Sequence, residues 1–280
     1  MSQYIADLHI HSRFSRACSK DLTLENINAH AKIQGLQIVG TGDFCHPLWF
    51  KEISAQLIEV APGLFRLKKD PHGVFFVLTN EISCIYSQGG KVRRLHICLL
   101  APNLKFVEEL NSTLTKRGCK LSSDGRPIIG MSAKELLKIC LEIDPLHLTF
   151  PAHAWTPWFA IFGSKSGFDS IEECYEELAG NLCAIETGLS SDPVMNWGLS
   201  KLDKITLLSN SDAHSLPNLG REANVFELSN SPSFAELTEV IRTGNRQKFL
   251  RTIEFFPEAG MYHYDGHLKI IVFVRSVKGR

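Results

Sequence analysis

Two pairs of polar residues, each pair separated by one position, carry the clearest chemistry in this chain. His9 and His11 lie in the segment DLHIHS, and Asp212 and His214 lie in SNSDAH. Residues i and i+2 of an extended strand point to the same face, so each pair can present two side chains to one ion. Imidazole and carboxylate ligands without thiolate suit zinc, manganese or iron. The two pairs therefore predict a metal site built from two distant segments.

Five further residues could complete this site. Glu81 carries a carboxylate that can bridge two ions, and His96, His153 and the pair Asp43 and His46 offer more ligands. A lone histidine in an apolar strand is more often a hydrogen-bonded core residue than a ligand, and that reading applies to His96 taken alone. Taken together, the set is better explained as metal ligands. The predicted ligands are His9, His11, Asp43, His46, Glu81, His96, His153, Asp212 and His214.

These residues fall mostly at the ends of predicted strands. Short β-branched runs alternate with helical patterns, which is typical of βα units and a largely parallel sheet. The predicted strands cover residues 4–10, 37–41, 74–81, 94–100, 147–151, 182–186, 205–210 and 248–255. Functional groups of a (β/α) barrel lie at the carboxyl ends of its strands. The chain is thus predicted to be an α/β barrel of seven or eight strands with the ligands at its mouth, although His96 lies inside its strand.

Capping patterns and glycines locate the helices and turns between these strands. A first helix is predicted at about residues 24–34, before Gly35. Three serines each precede a glutamate by three positions, as in capping boxes: Ser132 and Glu135, Ser170 and Glu173, Ser233 and Glu236. Gly89 and Gly90 predict a hairpin between the third and fourth strands, and residues 121–131 are predicted to form a loop. The barrel is therefore expected to be irregular.

Composition excludes several classes of protein. The 280 residues include 44% hydrophobic residues and 30 basic against 30 acidic ones, as in an ordinary globular domain without a global field for a polyanion. Eight cysteines without a CxxC pair argue against a zinc ribbon or a disulfide scaffold. A signal peptide and an apolar run of transmembrane length are both missing, so a cytoplasmic protein with no membrane partner is expected.

The order of the motifs resembles the PHP (polymerase and histidinol phosphatase) superfamily. The shared pattern is DLHIHS, then GTGD, a lone Glu, a lone His, PAH and SDAH. Longer segments, such as PAHAWTPWFAIFGSKSGFDSIEECY and SNSDAHSLPNLGREANVF, are similar to the endonuclease Q family within it. The resemblance implies a distorted TIM-like (β/α)7 barrel with two or three divalent metals. It also implies a DNA repair enzyme that nicks damaged DNA 5′ to deaminated bases (hypoxanthine, uracil, xanthine) or at abasic sites.

The resemblance also suggests how the ligands divide. One ion is expected on His9, His11, Glu81 and Asp212, a second on Glu81, His96 and His153, and a third on some of Asp43, His46 and His214. Zinc is the first expectation, with manganese, magnesium or iron as alternatives. Asp212 and His214 are the expected catalytic residues, acting with hydroxide generated at the metals. The sequence contains no nucleophile elbow or P-loop that would provide a different mechanism.

Contacts to DNA are expected beside His153. Trp155, Trp158 and Phe159 could stack on a base that has left the helix, although the same run could be aromatic core beneath a loop. Ser164, Lys165 and Arg221 match family positions and could touch phosphates, or could be solvated surface residues.

Two features depart from the family. Asp43 is followed by Phe44 rather than by the His of a TDH triplet, which affects the third ion. The family continues past its DGH segment into a cysteine-bearing zinc module, whereas here the chain runs into LKIIVFVRSVKGR. Residues 1–267 are thus expected to form a PHP metallophosphoesterase domain and residues 268–280 an aberrant tail. Two alternatives remain: a small-molecule phosphatase with the same metal residues, and a truncated inactive remnant or binding module.

Overall fold

A computed structural model of the protein describes residues 1–263, so the predicted tail at residues 268–280 lies outside the described residues. The described helices are α1 (Leu24–Ile33), α2 (Pro47–Gln56), α3 (Leu104–Lys116), α4 (Ala133–Ile143), α5 (Ile171–Tyr175), α6 (Pro193–Trp197) and α7 (Phe234–Thr243). The described strands are β1 (Ser2–Asp7), β2 (Ile38–Gly40), β3 (Leu57–Ala61), β4 (Leu64–Leu67), β5 (Phe75–Gln88), β6 (Lys91–Ala101), β7 (Ile128–Ile129), β8 (Leu148–Pro151), β9 (Ala184–Glu186), β10 (Thr206–Leu208), β11 (Ala223–Leu228) and β12 (Phe249–Ile253).

Seven of these strands form a distorted ring. The order β1, β2, β5 is parallel, β6 and β8 continue from β5 in antiparallel pairs, and β9 pairs parallel with β10. The amide of Ala154, just after β8, donates to the carbonyl of Glu186 in β9 (2.9 Å). Ile10 and Ala213 form a bridge that joins the segments after β1 and β10. The predicted α/β fold, a distorted seven-stranded barrel, is confirmed.

The expectation of a largely parallel sheet is wrong. Gly89 and Gly90, both with positive φ, form the predicted hairpin, and this turn forces β6 to run antiparallel to β5. Two elements absent from the sequence prediction add further antiparallel pairs: the β3–β4 hairpin, and β11, which lies between β1 and β12.

The predicted helix starts agree with the structure. The hydroxyls of Ser132, Ser170 and Ser233 each accept a hydrogen bond from the amide three residues later, at the starts of α4, α5 and α7. The sequence patterns did not predict α2 or α3. Helix α3 buries Phe106, Leu110 and Leu114 in the core. None of the helices formed by residues 1–263 has the length and hydropathy needed to cross a bilayer.

Candidate metal centre

The predicted ligands gather at one end of the ring. His9 and His11 follow β1, His153 follows β8, and Asp212 and His214 follow β10. Glu81 was expected to end its strand but lies in the middle of β5, because the hairpin with β6 extends that strand to Gln88. His96 lies inside β6, as predicted.

Three of the predicted metal ligands have an unusual backbone conformation. Asp43, His153 and Asp212 have φ values of 51°, 30° and 46°. Residues other than glycine seldom adopt positive φ, and such positions are concentrated at functional sites, where the surrounding structure holds them. The strained backbone at these three positions is therefore typical of a functional site.

Four side chains form the first ligand group. His9, His11, Glu81 and Asp212 each offer one atom, and these atoms all lie within 4.8 Å of one another. The His11 Nε2 atom lies 3.1 Å from Asp212 Oδ1 and 3.3 Å from Glu81 Oε2. Four buried atoms of the group have no hydrogen-bond partner: His9 Nε2, His11 Nε2, Glu81 Oε1 and Asp212 Oδ1. Buried polar atoms without partners are costly, so their convergence fits a bound cation.

Glu81 also belongs to a second ligand group, with His96 and His153. The Glu81 Oε1 atom lies 2.9 Å from His96 Nδ1 and 3.3 Å from His153 Nε2. A carboxylate shared by two neighbouring ligand groups is suited to bridge two ions. These two groups contain the same residues that the sequence assigned to the first and second ions.

Two buried carboxylates contact the Nδ1 atoms of the two histidines in the first group. Both oxygens of Glu186 lie 3.0 Å from His9 Nδ1, and Asp43 Oδ1 lies 3.0 Å from His11 Nδ1. A carboxylate on Nδ1 fixes the ring tautomer and leaves Nε2 free as a ligand. Glu186 was missed from the sequence, although it ends a predicted strand at the same edge as the other candidates.

The residues predicted for a third ion are not brought into one ligand group within residues 1–263. Asp43 is engaged with His11, and its other oxygen accepts hydrogen bonds from the amide and hydroxyl of Ser12 (both 2.6 Å). The ring of His46 stacks on Phe14, with 4.4 Å between centroids. His214 lies at the edge of the first group, where its Nδ1 is 3.5 Å from Asp212 Oδ1.

Electrostatics favour the metal-binding forms of Glu81 and His96, whereas neighbouring anionic groups outweigh burial and raise the pKa values of His9, His11 and His153. Burial raises the pKa of Glu81, but His96, Arg126 and His9 together hold that pKa well below its usual value. Burial lowers the pKa of His96 to about 4, despite the opposing charge of Glu81. At neutral pH the carboxylate is therefore charged and the imidazole of His96 neutral, which are the states that bind a metal.

The predicted aromatic run divides into a buried and an exposed part. Trp155 packs on Phe162 and donates its indole N–H to Asn196 (2.7 Å), so it has a structural role. Trp158 is 48% exposed, and the Phe159 ring lies 4.6 Å from that of His96. An open pocket of about 510 Å³ beside the ligand groups is lined by Arg94, His96, His153, Thr156, Trp158, Phe159, Asp212 and Tyr262.

The three predicted phosphate contacts lie in loops that follow ligands. Ser164 and exposed Lys165 lie in the loop after His153, where the Lys165 amide donates to the carbonyl of Pro157 (3.0 Å). Arg221 donates its Nε hydrogen to the carbonyl of Ser211, next to Asp212 (2.9 Å).

Arg126 is a site residue that the sequence did not indicate. It lies in the predicted loop at residues 121–131, and its Nη1 atom donates to Glu81 Oε2 (3.0 Å). A single arginine in a loop carries no spacing pattern, so no sequence signal could have identified it.

Comparison with protein sequences gives two uncharacterized relatives. A Bacillus subtilis protein, YqxK, is 28% identical over 279 residues, which cover 94% of this chain and 68% of the relative. A Methanocaldococcus jannaschii protein is 36% identical over 151 residues, which cover 54% of this chain but only 16% of the relative. No known family profile matches the chain.

Solved structures give a more informative comparison. The lesion-specific endonuclease Q of Pyrococcus furiosus is 33% identical, with a TM-score of 0.80, and the match covers 92% of this chain. An endonuclease Q solved with a 27-mer duplex substrate, carrying an abasic lesion at the active site, is 34% identical, with a TM-score of 0.82 and 94% coverage. This chain spans 60% and 62% of those two chains.

A Bifidobacterium adolescentis protein described as a metal-dependent phosphoesterase shares the fold at 14% identity, with a TM-score of 0.53; the match covers 85% of this chain and 96% of that chain. Over nearly all of its own length, this chain therefore resembles endonuclease Q in both sequence and fold.

Proposed function

We propose that this protein is a metal-dependent endonuclease of DNA repair. It hydrolyses the phosphodiester 5′ to deaminated bases, namely hypoxanthine, uracil and xanthine, or at abasic sites. The observation that carries this proposal is the convergence of four buried ligand atoms without a hydrogen-bond partner, from His9, His11, Glu81 and Asp212, in a chain similar to endonuclease Q. The likeness to a complex with abasic DNA supports damaged DNA as the substrate.

Two divalent ions fit the ligand groups. One would be held by His9, His11, Glu81 and Asp212, and the other by Glu81, His96 and His153. Nitrogen and carboxylate ligands without thiolate make zinc the first choice, before manganese, iron or magnesium. Such ions supply water of lowered pKa and positive charge to balance the phosphate.

Asp212 and His214 are the proposed catalytic residues. Their side chains are 26% and 30% exposed, so both can reach a substrate at the mouth of the ring. The Nδ1 atom of His214 lies 2.8 Å from the carbonyl oxygen of Asp212, which leaves Nε2 to exchange a proton with the substrate. Burial lowers the pKa of His214, so its ring is mainly neutral at pH 7 and can accept a proton.

The pocket beside the ligand groups is suited to a base that has left the helix. Its wall contains Trp158 and Phe159, whose rings could stack on a base, while Ser164, Lys165 and Arg221 lie in the neighbouring loops. Enzymes that act on a damaged base gain selectivity because such a base unstacks at a lower cost.

The test compares three substrates with manganese or zinc: a duplex containing inosine, the same duplex without inosine, and a small phosphate monoester. We expect nicking of the inosine duplex alone, and its loss in Asp212→Ala with little change in folding. Asp203→Ala, at an exposed position away from the site, is the control. Turnover of the monoester without nicking would identify a small-molecule phosphatase. A metal-loaded protein without either activity would be an inactive remnant.

A further inference from the structure

The backbone of the two residues that flank Arg126 anchors this arginine beside the ligand groups. On one side, the amide of Gly125 donates to the carbonyl of Phe14 in the loop after β1 (3.1 Å). On the other side, the carbonyl of Pro127 accepts from the amide of Ser83, two residues after Glu81 in β5 (3.0 Å). The arginine is thereby fixed between two elements that carry ligands.

The space around Gly125 strengthens this anchoring. A Cβ atom at Gly125 would lie 2.4 Å from Asp43 Oδ2 and 2.5 Å from Ser15 Oγ, which is closer than real contacts allow. The loop therefore rests directly on the carboxylate that holds His11. Asp124 closes the turn, because its Oδ1 atom accepts from the amides of Arg16 (3.2 Å) and Arg126 (3.1 Å).

The guanidinium of Arg126 is only partly engaged. It donates one hydrogen bond, from Nη1 to Glu81 Oε2, and no other protein acceptor for its side chain is found among residues 1–263. A guanidinium carries five N–H donors in a planar fork that matches phosphate oxygens. The side chain is 23% exposed, so part of it is accessible to a ligand.

We propose that Arg126 binds the phosphate group that is attacked, using the donors that Glu81 leaves free. This inference rests on the proposed function, because it assigns a contact with the phosphodiester in that same site. The hydrogen bond to Glu81 holds the guanidinium beside the carboxylate that the two ligand groups share. A fixed positive charge there stabilises the additional negative charge that a phosphodiester gains as it is hydrolysed.

A purely structural role for Arg126 predicts different behaviour. If the residue served only to neutralise buried Glu81, its loss would change the binding of metal and leave phosphate affinity intact once metal is bound. The two roles are therefore separable by measuring metal and phosphate binding independently.

The experiment uses inorganic phosphate as the probe and isothermal titration calorimetry of the manganese-loaded full chain. Arg126→Gln is expected to weaken phosphate binding about tenfold to a hundredfold, and Arg126→Lys is expected to restore part of the loss. Arg117→Gln is the matched control, because Arg117 begins the same connection but pairs with Glu135 on the outer surface. Metal content and thermal unfolding are measured for each variant to establish that it folds and holds its ions.

Unchanged phosphate affinity in Arg126→Gln would overturn the inference, as would a loss of metal that fully accounts for weaker phosphate binding. Nicking of the inosine duplex is measured in parallel. If the wild type does not nick DNA but phosphate binding depends on Arg126, the inference stands and the proposed function fails. If the wild type nicks DNA and Arg126→Gln binds phosphate as tightly as the wild type, the proposed function stands and the inference fails.

Discussion

Glu186 and Asp43 orient two of the candidate ligands, because each carboxylate contacts the ring nitrogen that does not face the other ligands. Each carboxylate is fully buried and meets the Nδ1 atom of one histidine, His9 or His11. Glu186 also accepts hydrogen bonds from the amide of His153 (2.8 Å) and from the side chain of Asn210 (3.0 Å). One carboxylate thus positions residues of both ligand groups.

Replacing this carboxylate with an amide is expected to weaken metal binding. Glu186→Gln keeps the volume of the side chain but removes the charge that polarises His9, and such changes behind a ligand typically cost about tenfold to a hundredfold in affinity. Competition with a metal-binding dye measures the effect. Glu177→Gln, at an exposed position, is the control. Equal metal affinities for Glu186→Gln and the wild type would contradict the positioning role.

Another buried carboxyl group, that of Glu222, affects stability rather than metal binding. Burial, and then the nearby charge of Glu254, raise its pKa to about 9, against about 4.5 for an unfolded chain. Between these values the folded protein keeps a proton that the unfolded chain releases, so stability falls as the pH rises from 4.5 to 9.

Glu222→Gln is therefore expected to be more stable than the wild type at neutral and alkaline pH. The difference in unfolding free energy should exceed about 1.4 kcal/mol at pH 8, the equivalent of one pKa unit, and should shrink towards pH 5. Urea unfolding at several pH values measures it, with Glu239→Gln at an exposed position as the control. A difference that is constant with pH would show that Glu222 keeps an ordinary pKa.

At the scale of elements, the loop at residues 121–131 is the part that local sequence describes least. It was predicted only as a loop, yet it contains the short strand β7, which pairs with β5, and it delivers Arg126 to Glu81. Its contacts join residues far apart in sequence, so no local propensity encodes them. The starts of α4, α5 and α7 were predictable, because a capping box uses only neighbouring residues.

Two glycines of this loop provide a matched test of its anchoring. Gly125→Ala would push a methyl group against Asp43 and Ser15, whereas Gly130 has no atom within 4 Å of the corresponding position. We expect Gly125→Ala to lower nicking at least about tenfold and to cost about 1–3 kcal/mol of stability, while Gly130→Ala changes neither. Similar kinetics and melting for the two variants would show that the contact with Asp43 is dispensable.

For the whole molecule, the ring explains which part of the site was predictable. Parallel neighbours and strand ends bring His9, His11 and Asp212 together, and the period of two within a strand identifies them from sequence. The supporting residues Glu186 and Arg126 depend on how distant segments close around the ligands. The third predicted group fails to assemble within the described residues because Asp43 turns back onto His11 and Ser12.

Metal binding should also stabilise the folded ring of strands. His9 and His11 follow the first strand and Asp212 follows β10, so an ion held by all three ties together segments that are about two hundred residues apart. Free metal at 100 times its dissociation constant should stabilise the folded state by about 2.7 kcal/mol. Thermal unfolding of chelator-treated protein, with and without added manganese, should show a higher melting temperature with metal. Asp203→Ala should keep this increase and Asp212→Ala should lose most of it; an identical increase in both variants would mean that the ion binds elsewhere.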